Sequence, residues 1–189
     1  HLGTPHPLLV PDGGQALWGW VSTAEAPELA RDDLTSLVER IPKTVRISVG
    51  TPAQGAPGFR TSHTQAQRGR RIIELAGRGP AVTAYAELAL VDAMSSDLDL
   101  ARAFVATELG ALAAAGQREE AERETLLAVL DAQGGLAAAA ETLKVHRNTV
   151  LQRLHRAEER RGRPATDRVA ELHAALRLVH VLGPVVLVA

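Results

Sequence analysis

Asn148 and Gln152 stand one helical turn apart, with Arg147, Arg153 and Arg156 beside them, in the run Val145-His146-Arg147-Asn148-Thr149-Val150-Leu151-Gln152-Arg153-Leu154-His155-Arg156. Asn and Gln can bond adenine bidentately, and Arg can do the same for guanine. Arginine also neutralises phosphate, as a helix N-terminus does. The chemistry open to these residue types at this spacing is recognition of duplex DNA by a helix in the major groove, its N-terminal residues over the base edges. At about 100° per residue, Val150, Leu154 and Ala157 share one side, with Asn148, Gln152 and His155 opposite. Thr149, Arg153 and Arg156 fall on the flank between them. Base reading is therefore expected of Asn148 and Gln152, with Arg147 a further candidate and Thr149 at the DNA. Phosphate contact is expected of Arg153, Arg156, Arg160 and Arg161. His146 occupies the capping position, and it and Arg153 support the reading face either at the DNA or within the fold.

Such a helix has to be held by others. Leu136 to Leu143 reads Leu-Ala-Ala-Ala-Ala-Glu-Thr-Leu, a short helix whose small residues let a second helix approach closely, and Lys144-Val145 leaves only a tight turn. Ahead of it, Glu122 to Gln133 carries Leu126, Leu127, Val129 and Leu130 at the period of an amphipathic helix. Gly134 ends that helix and Gly135 caps the next. The result is three helices ending in a helix-turn-helix. The competing reading is a solvated face of a helical bundle, with Glu158 and Glu159 pairing to arginines a turn away.

The N-terminal half has a different texture. Leu8-Leu9-Val10 and Leu17-Trp18-Gly19-Trp20-Val21 flank Asp12-Gly13, a hairpin signal. A helix is expected over Pro27 to Ile41, stopped by Pro42, and Val45 to Val49 alternates as a half-buried strand. Ser62-His63-Thr64-Gln65 fits a capping box, so a helix is expected from His63 to Ala76 with Gly77 after it, then a strand over Ala81 to Tyr85. The order is β-β-α-β-α-β, an α+β layer. Leu98 to Leu112 is an amphipathic connecting helix and Ala113 to Arg118 a hinge. Asp167 to Leu182 carries Leu172, Ala175, Leu176 and Val179 along one stripe, which packs on the three helices or joins a second copy.

Catalysis finds little support. The seven histidines are scattered, with no pair at metal-ligand spacing beside a catalytic Glu, and no Gly-rich phosphate loop precedes a helix. Ser62 beside His63 reads as a cap, since adjacent helical residues do not face one another. No enzyme activity, no metal and no cofactor are expected. With 46% hydrophobic residues but only 3% aromatic, the core of this 189-residue chain has to be filled by Ala, Leu and Val. A net charge of −1 argues against a general nucleic-acid binder, yet arginines crowd 147 to 163 while acids gather in 92 to 99 and 119 to 124, and local charge makes the footprint. The absence of cysteine excludes disulfides and thiolate zinc sites and suits a cytoplasmic protein. No signal peptide is read and no apolar run approaches the roughly 20 residues of a membrane span, so no membrane is expected. The tail Val185 to Ala189 packs on the body or on a second copy.

The segment from about Glu124 to Leu182 resembles the C-terminal helix-turn-helix of PucR/CdaR-type bacterial transcription regulators. The resemblance rests on Gly134, Ala140, Leu143, the hexapeptide Val145 to Val150, Arg153-Leu154 and the leucine-rich Leu172 to Leu178. Two positions depart from the pattern. Gly135 stands where Asn is usual, which costs a few tenths of a kcal/mol as a cap, and Gln152 replaces a usual Tyr. Upstream, Val49-Gly50, Gly58 to His63, Gln65-Ala66, Tyr85 to Leu88 and Phe104 to Gly110 resemble the degenerate GGDEF-like, cyclase-related domain of the same regulators. In the active cyclases the hairpin carries Gly-Gly followed by acids that hold metal and nucleotide. Here Pro11-Asp12-Gly13-Gly14-Gln15-Ala16 has no acid after the glycines, and metal-assisted phosphate chemistry needs carboxylates.

The resemblance implies a partial, degenerate GGDEF-like α/β layer domain over 1–92, truncated at its N-terminus or part of a fragment. A linker helix and hinge over 93–121, an all-α helix-turn-helix DNA-binding domain over 122–183 and an apolar tail over 184–189 follow. It implies double-stranded DNA as partner, a homodimer, and a small-molecule effector acting through a missing or upstream sensor region. Two alternatives stay open: a helical interaction module whose arginines pair with Glu, and a nucleotide sensor in which Asp12 and Gly13-Gly14 bind phosphate.

Overall fold

The computed structural model describes residues 7–14, 16–22, 41–42 and 44–187. Strands β1 (Leu8–Asp12) and β2 (Ala16–Trp20) form an antiparallel hairpin in which Val10 faces Trp18. Strands β3 (Ile47–Val49) and β4 (Val82–Ala84) pair in parallel, with Ser48 opposite Thr83. Between them runs helix α1 (Gly55–Ala76), and after them come α2 (Tyr85–Met94) and α3 (Leu98–Leu109). A 3-10 turn (Gly110–Ala113) leads into α4 (Gln117–Asp131), α5 (Leu136–Leu143), α6 (Arg147–Arg161) and α7 (Val169–Leu182), closed by a second 3-10 turn (Gly183–Val186). The class is α+β, as the residue pattern implied, but the described strands form two separate two-stranded sheets rather than one layer, and most of the described residues are helical. The helix expected over Pro27–Ile41 lies, but for Ile41, outside the described residues.

Helix α1 corrects one boundary. It starts eight residues before His63, with Gln54 as N-cap, so Ser62 lies inside the helix and caps nothing, and the Gln65 side-chain oxygen instead accepts the Thr51 amide at 2.8 Å. Gly55, Pro57 and Gly58 disguise the start, although proline in a first turn gives up an N–H that has no helical acceptor. Its C-terminus is as expected, at a left-handed Gly77 with φ 64°. The helix lies close on β3 because Gly69 has no side chain: a Cβ there would sit 2.2 Å from the Ser48 hydroxyl. The few aromatic residues fasten the hairpin to the same helix. Trp20 stacks on Phe59 at 5.2 Å, Trp18 meets His63 edge-on at 4.9 Å, and the Arg70 guanidinium lies 5.6 Å from the Trp18 ring centre.

Two cores hold the helices. The larger joins Ile72, Leu88, Val91 and Val105 of the N-terminal half to Leu109, Leu112, Leu126, Leu172, Leu176, Leu178 and Leu182. Helix α7 therefore packs its predicted stripe mainly against α3 and α4, and touches α1 and α2 as well. Val169–Val186 is long and apolar enough to cross a bilayer by composition, against the expectation that no run is, but its apolar face supplies this core. The smaller core consists of Ala128, Val129, Ala139, Ala140 and Val150, ringed by Leu136, Leu143 and Val145, and it binds α4, α5 and α6 together. The segment read as a hinge is held down: Ala113 is buried, and the Arg123 guanidinium donates through Nη1 to the Leu112 and Ala114 carbonyls.

Candidate nucleic-acid interface

Helices α5 and α6 are joined by Lys144, Val145 and His146. Lys144 adopts the left-handed conformation (φ 53°, ψ 42°) that ends α5, and the Val145 amide returns to the Ala140 carbonyl at 3.0 Å. Val145 packs against the small core, fixing the angle between the two helices. His146 is the N-cap of α6, its Nδ1 accepting the Asn148 amide at 3.2 Å. The cap thus satisfies one of the amides that a helix N-terminus leaves without a partner.

The burial of α6 follows the helical count. Val150 and Ala157 are fully buried and Leu154 is half-buried, while Asn148, Gln152 and His155 are exposed on the other side. Arg147 and Arg156 are exposed, and Thr149 and Arg153 lie half-buried on the flanks. No hydrogen bond or ion pair engages the side chains of Arg147, Asn148, Gln152, Arg153 or Arg156 among the described residues. Three cations and two amides are therefore available along the first three turns, the amides and Arg156 on the outer arc and Arg147 and Arg153 on its two opposite edges.

The last turn of α6 behaves differently, and here the sequence-based assignment of phosphate contacts is corrected. Arg160 pairs with Glu119, and its Nε lies 2.9 Å from the buried Glu122 carboxylate. Arg161, with a fully buried side chain, donates to the backbone carbonyls of Glu108 (2.9 Å), Pro164 (2.6 Å) and Asp167 (2.9 Å). The Glu108 carboxylate, on α3 and 2% exposed, gathers Arg161 at 3.6 Å, Arg163 at 3.3 Å and Arg168 at 2.8 Å. Burial alone would raise its pKa, but the Arg168 hydrogen bond and the charges of Arg168, Arg163 and Arg161 outweigh that and hold it below the ordinary value. Burial pushes the Arg161 pKa down and Arg163 adds to the effect, while Glu108 opposes it. These arginines lock the end of α6 to α3 and α4 and leave the helix start to face outward.

Leu151 escaped the sequence reading. It is 40% exposed and lies one turn after Arg147 and one before His155, an apolar side chain on an otherwise polar surface. Its signal was its position on the outer arc, one residue from Gln152. In the N-terminal half, Asp12 is held by Arg70 at 2.8 Å and is exposed, so the acid nearest the hairpin glycines is committed to an ion pair. The described residues contain no group of three His, Asp or Glu able to hold a metal.

Short alanine-rich helix, left-handed turn, capped second helix and its cationic N-terminal surface define a helix-turn-helix of the kind that inserts its second helix into DNA. The comparisons with known domains agree with that class. The family model of the PucR C-terminal helix-turn-helix domain matches residues 123–178, and that of a GGDEF-like domain matches residues 1–72. The chain thus carries a match to a GGDEF-like domain followed by a match to a PucR-type helix-turn-helix. No curated protein matches it. The helix-turn-helix supports a DNA-binding regulator and points away from an enzyme, and the GGDEF-like domain is degenerate.

Proposed function

We propose that this protein is a cytoplasmic, sequence-specific transcription regulator of the PucR/CdaR type. It reads the major groove with the first turns of α6. Asn148 and Gln152 bond base edges, with Arg147 beside them, while Thr149, Arg153 and Arg156 hold phosphates and His146 fixes the helix start. One observation supports this reading: α6 is divided, its C-terminal arginines consumed by buried carboxylates and its N-terminal ones left without a protein partner among the described residues. The interaction-module alternative, in which arginines pair with Glu, describes only the C-terminal half of the helix.

The functional units we propose are the GGDEF-like domain over 1–92, the connecting segment over 93–121, the reading head over 122–183 and the tail over 184–189. A single reading head carries few cations, so affinity requires two copies. In a symmetric dimer the two α6 helices would lie about 34 Å apart on one face of the DNA. A small-molecule effector acting through an upstream sensor region sets the activity of the dimer.

Selection of binding sites from a random duplex pool, with the wild type and Asn148→Ala in parallel, tests the assignment. The wild type is expected to enrich a two-fold symmetric motif. Asn148→Ala should tolerate substitution at one adenine per half-site, a loss of about 1–3 kcal/mol of discrimination for a bidentate pair. An unchanged motif would remove Asn148 from the reading face.

A further inference from the structure

A cavity of about 390 Å³ opens between the loop that follows α1, the N-terminal half of α4 and the C-terminal half of α7. Its floor is apolar: Leu127, Leu176 and Val179 are 7, 2 and 5% exposed. Its walls carry Arg78, Arg123 and His180, with the exposed acids Glu120 and Glu124 at the mouth. The volume falls within the range of small-molecule sites, which combine apolar walls with a few placed polar groups.

Arg123 is the feature that calls for a ligand. It is 6% exposed, and only its Nη1 is used, on the Leu112 and Ala114 carbonyls. Its Nε and Nη2 have no protein acceptor, and no carboxylate lies within ion-pair distance, among the described residues. Neither atom is among the buried side-chain atoms that lack a partner, so both meet solvent on the cavity side, where an anion can take the place of water. Burial pushes the Arg123 pKa down, although Glu120 and Glu119 oppose it.

Arg78 forms the facing wall. Its guanidinium lies flat against Gly183, where a Cβ would come within 2.6 Å of Nη2 and 2.8 Å of Cζ, so the bare glycine is what lets it lie there. Its nearest carboxylate, Glu120, is 3.9 Å away.

We propose that this cavity binds a small organic carboxylate with an apolar body, the carboxylate held between Arg123 and Arg78 and the body seated on Leu127, Leu176 and Val179. The acidic mouth disfavours multiply charged phosphates, and an inorganic anion would leave the apolar floor unused. The guanidinium fork of Arg123 suits a planar carboxylate. The proposal does not depend on how α6 meets DNA.

Calorimetric titration of the whole chain with benzoate and with 3-methylbutanoate tests it, alongside the neutral isosteres benzyl alcohol and 3-methylbutanol, and inorganic phosphate. At least one acid is expected to bind with a sub-millimolar Kd. Its isostere and phosphate should bind at least about tenfold more weakly, and Arg78→Ala should weaken the acid by about tenfold. Arg78 is exposed, so that variant keeps the test valid even if Arg123→Met fails to fold. Silence with both acids, equal binding of acid and alcohol, equal binding of phosphate, or an Arg78→Ala variant that binds as the wild type does would each overturn the proposal.

Discussion

Replacing Glu108 by Gln should unlock the end of the reading helix from α3. The carboxylate is 2% exposed and meets Arg161, Arg163 and Arg168 at 3.6, 3.3 and 2.8 Å. Arg163 and Arg168 are 30 and 47% exposed and can turn to water, so their share is small. Arg161 cannot, because its side chain is fully buried. Removing one partner of a buried pair costs about 3–5 kcal/mol, and the three backbone carbonyls that Arg161 retains set the expectation at the low end, about 3 kcal/mol. For a chain of this length that is a fall in Tm of roughly 6–12 °C. Differential scanning calorimetry at pH 7 reads it directly. The sign with pH also follows. Folding holds the Glu108 pKa below its ordinary value of 4.5, so its contribution is fully present above that value and is lost as pH falls through the folded-state pKa. The gap between wild type and Glu108→Gln should therefore be wide at pH 7 and close on strong acidification. A loss under about 1 kcal/mol at pH 7, or a gap that widens with acid, would refute the view that this ion cluster anchors α6.

Three further outcomes follow. Replacing thymine by deoxyuridine through a selected site should weaken the wild type at one position per half-site and leave Leu151→Ala indifferent there, because an exposed leucine on the reading surface can contact the thymine methyl; equal sensitivity of both proteins would exclude the contact. His146→Ala should cost about 1 kcal/mol in urea unfolding by removing the N-cap, and His146→Asn should restore most of it. Gly69→Ala should destabilise by about 1–3 kcal/mol, since its Cβ would meet the buried Ser48 hydroxyl, and an unchanged Tm would show that the hydroxyl turns aside freely.

The reading head was the most legible part of the sequence, because its signals are local. The period of Val150, Leu154 and Ala157, the turn at Gly134 and the bounds of α5 follow from spacings within one or two helical turns. The hairpin and β3 were legible for the same reason. What escaped depends on residues remote in sequence. Nothing near Arg161 indicates that Glu108, 53 positions earlier, would face it, so the run of arginines looked uniformly like a phosphate surface. The start of α1 was hidden because Gly55 and Gly58 act as breakers in isolation, whereas here Gly58 lets the first turn close against Ala53. Arg123 was invisible as a cavity residue, since the cavity it lines forms only when α4, α7 and the loop after α1 come together.

The most direct test of the DNA-reading account is fluorescence anisotropy of the purified chain with a random duplex pool at two salt concentrations, beside the Arg153→Ala/Arg156→Ala double variant. Phosphate contacts make log affinity fall linearly with log salt, by about 0.9 for each phosphate neutralised. The account predicts salt-sensitive binding by the wild type, and a weaker, shallower response from the double variant with an unchanged Tm. A folded wild-type protein that binds no DNA even at low salt, or a double variant with the wild-type slope, would contradict it.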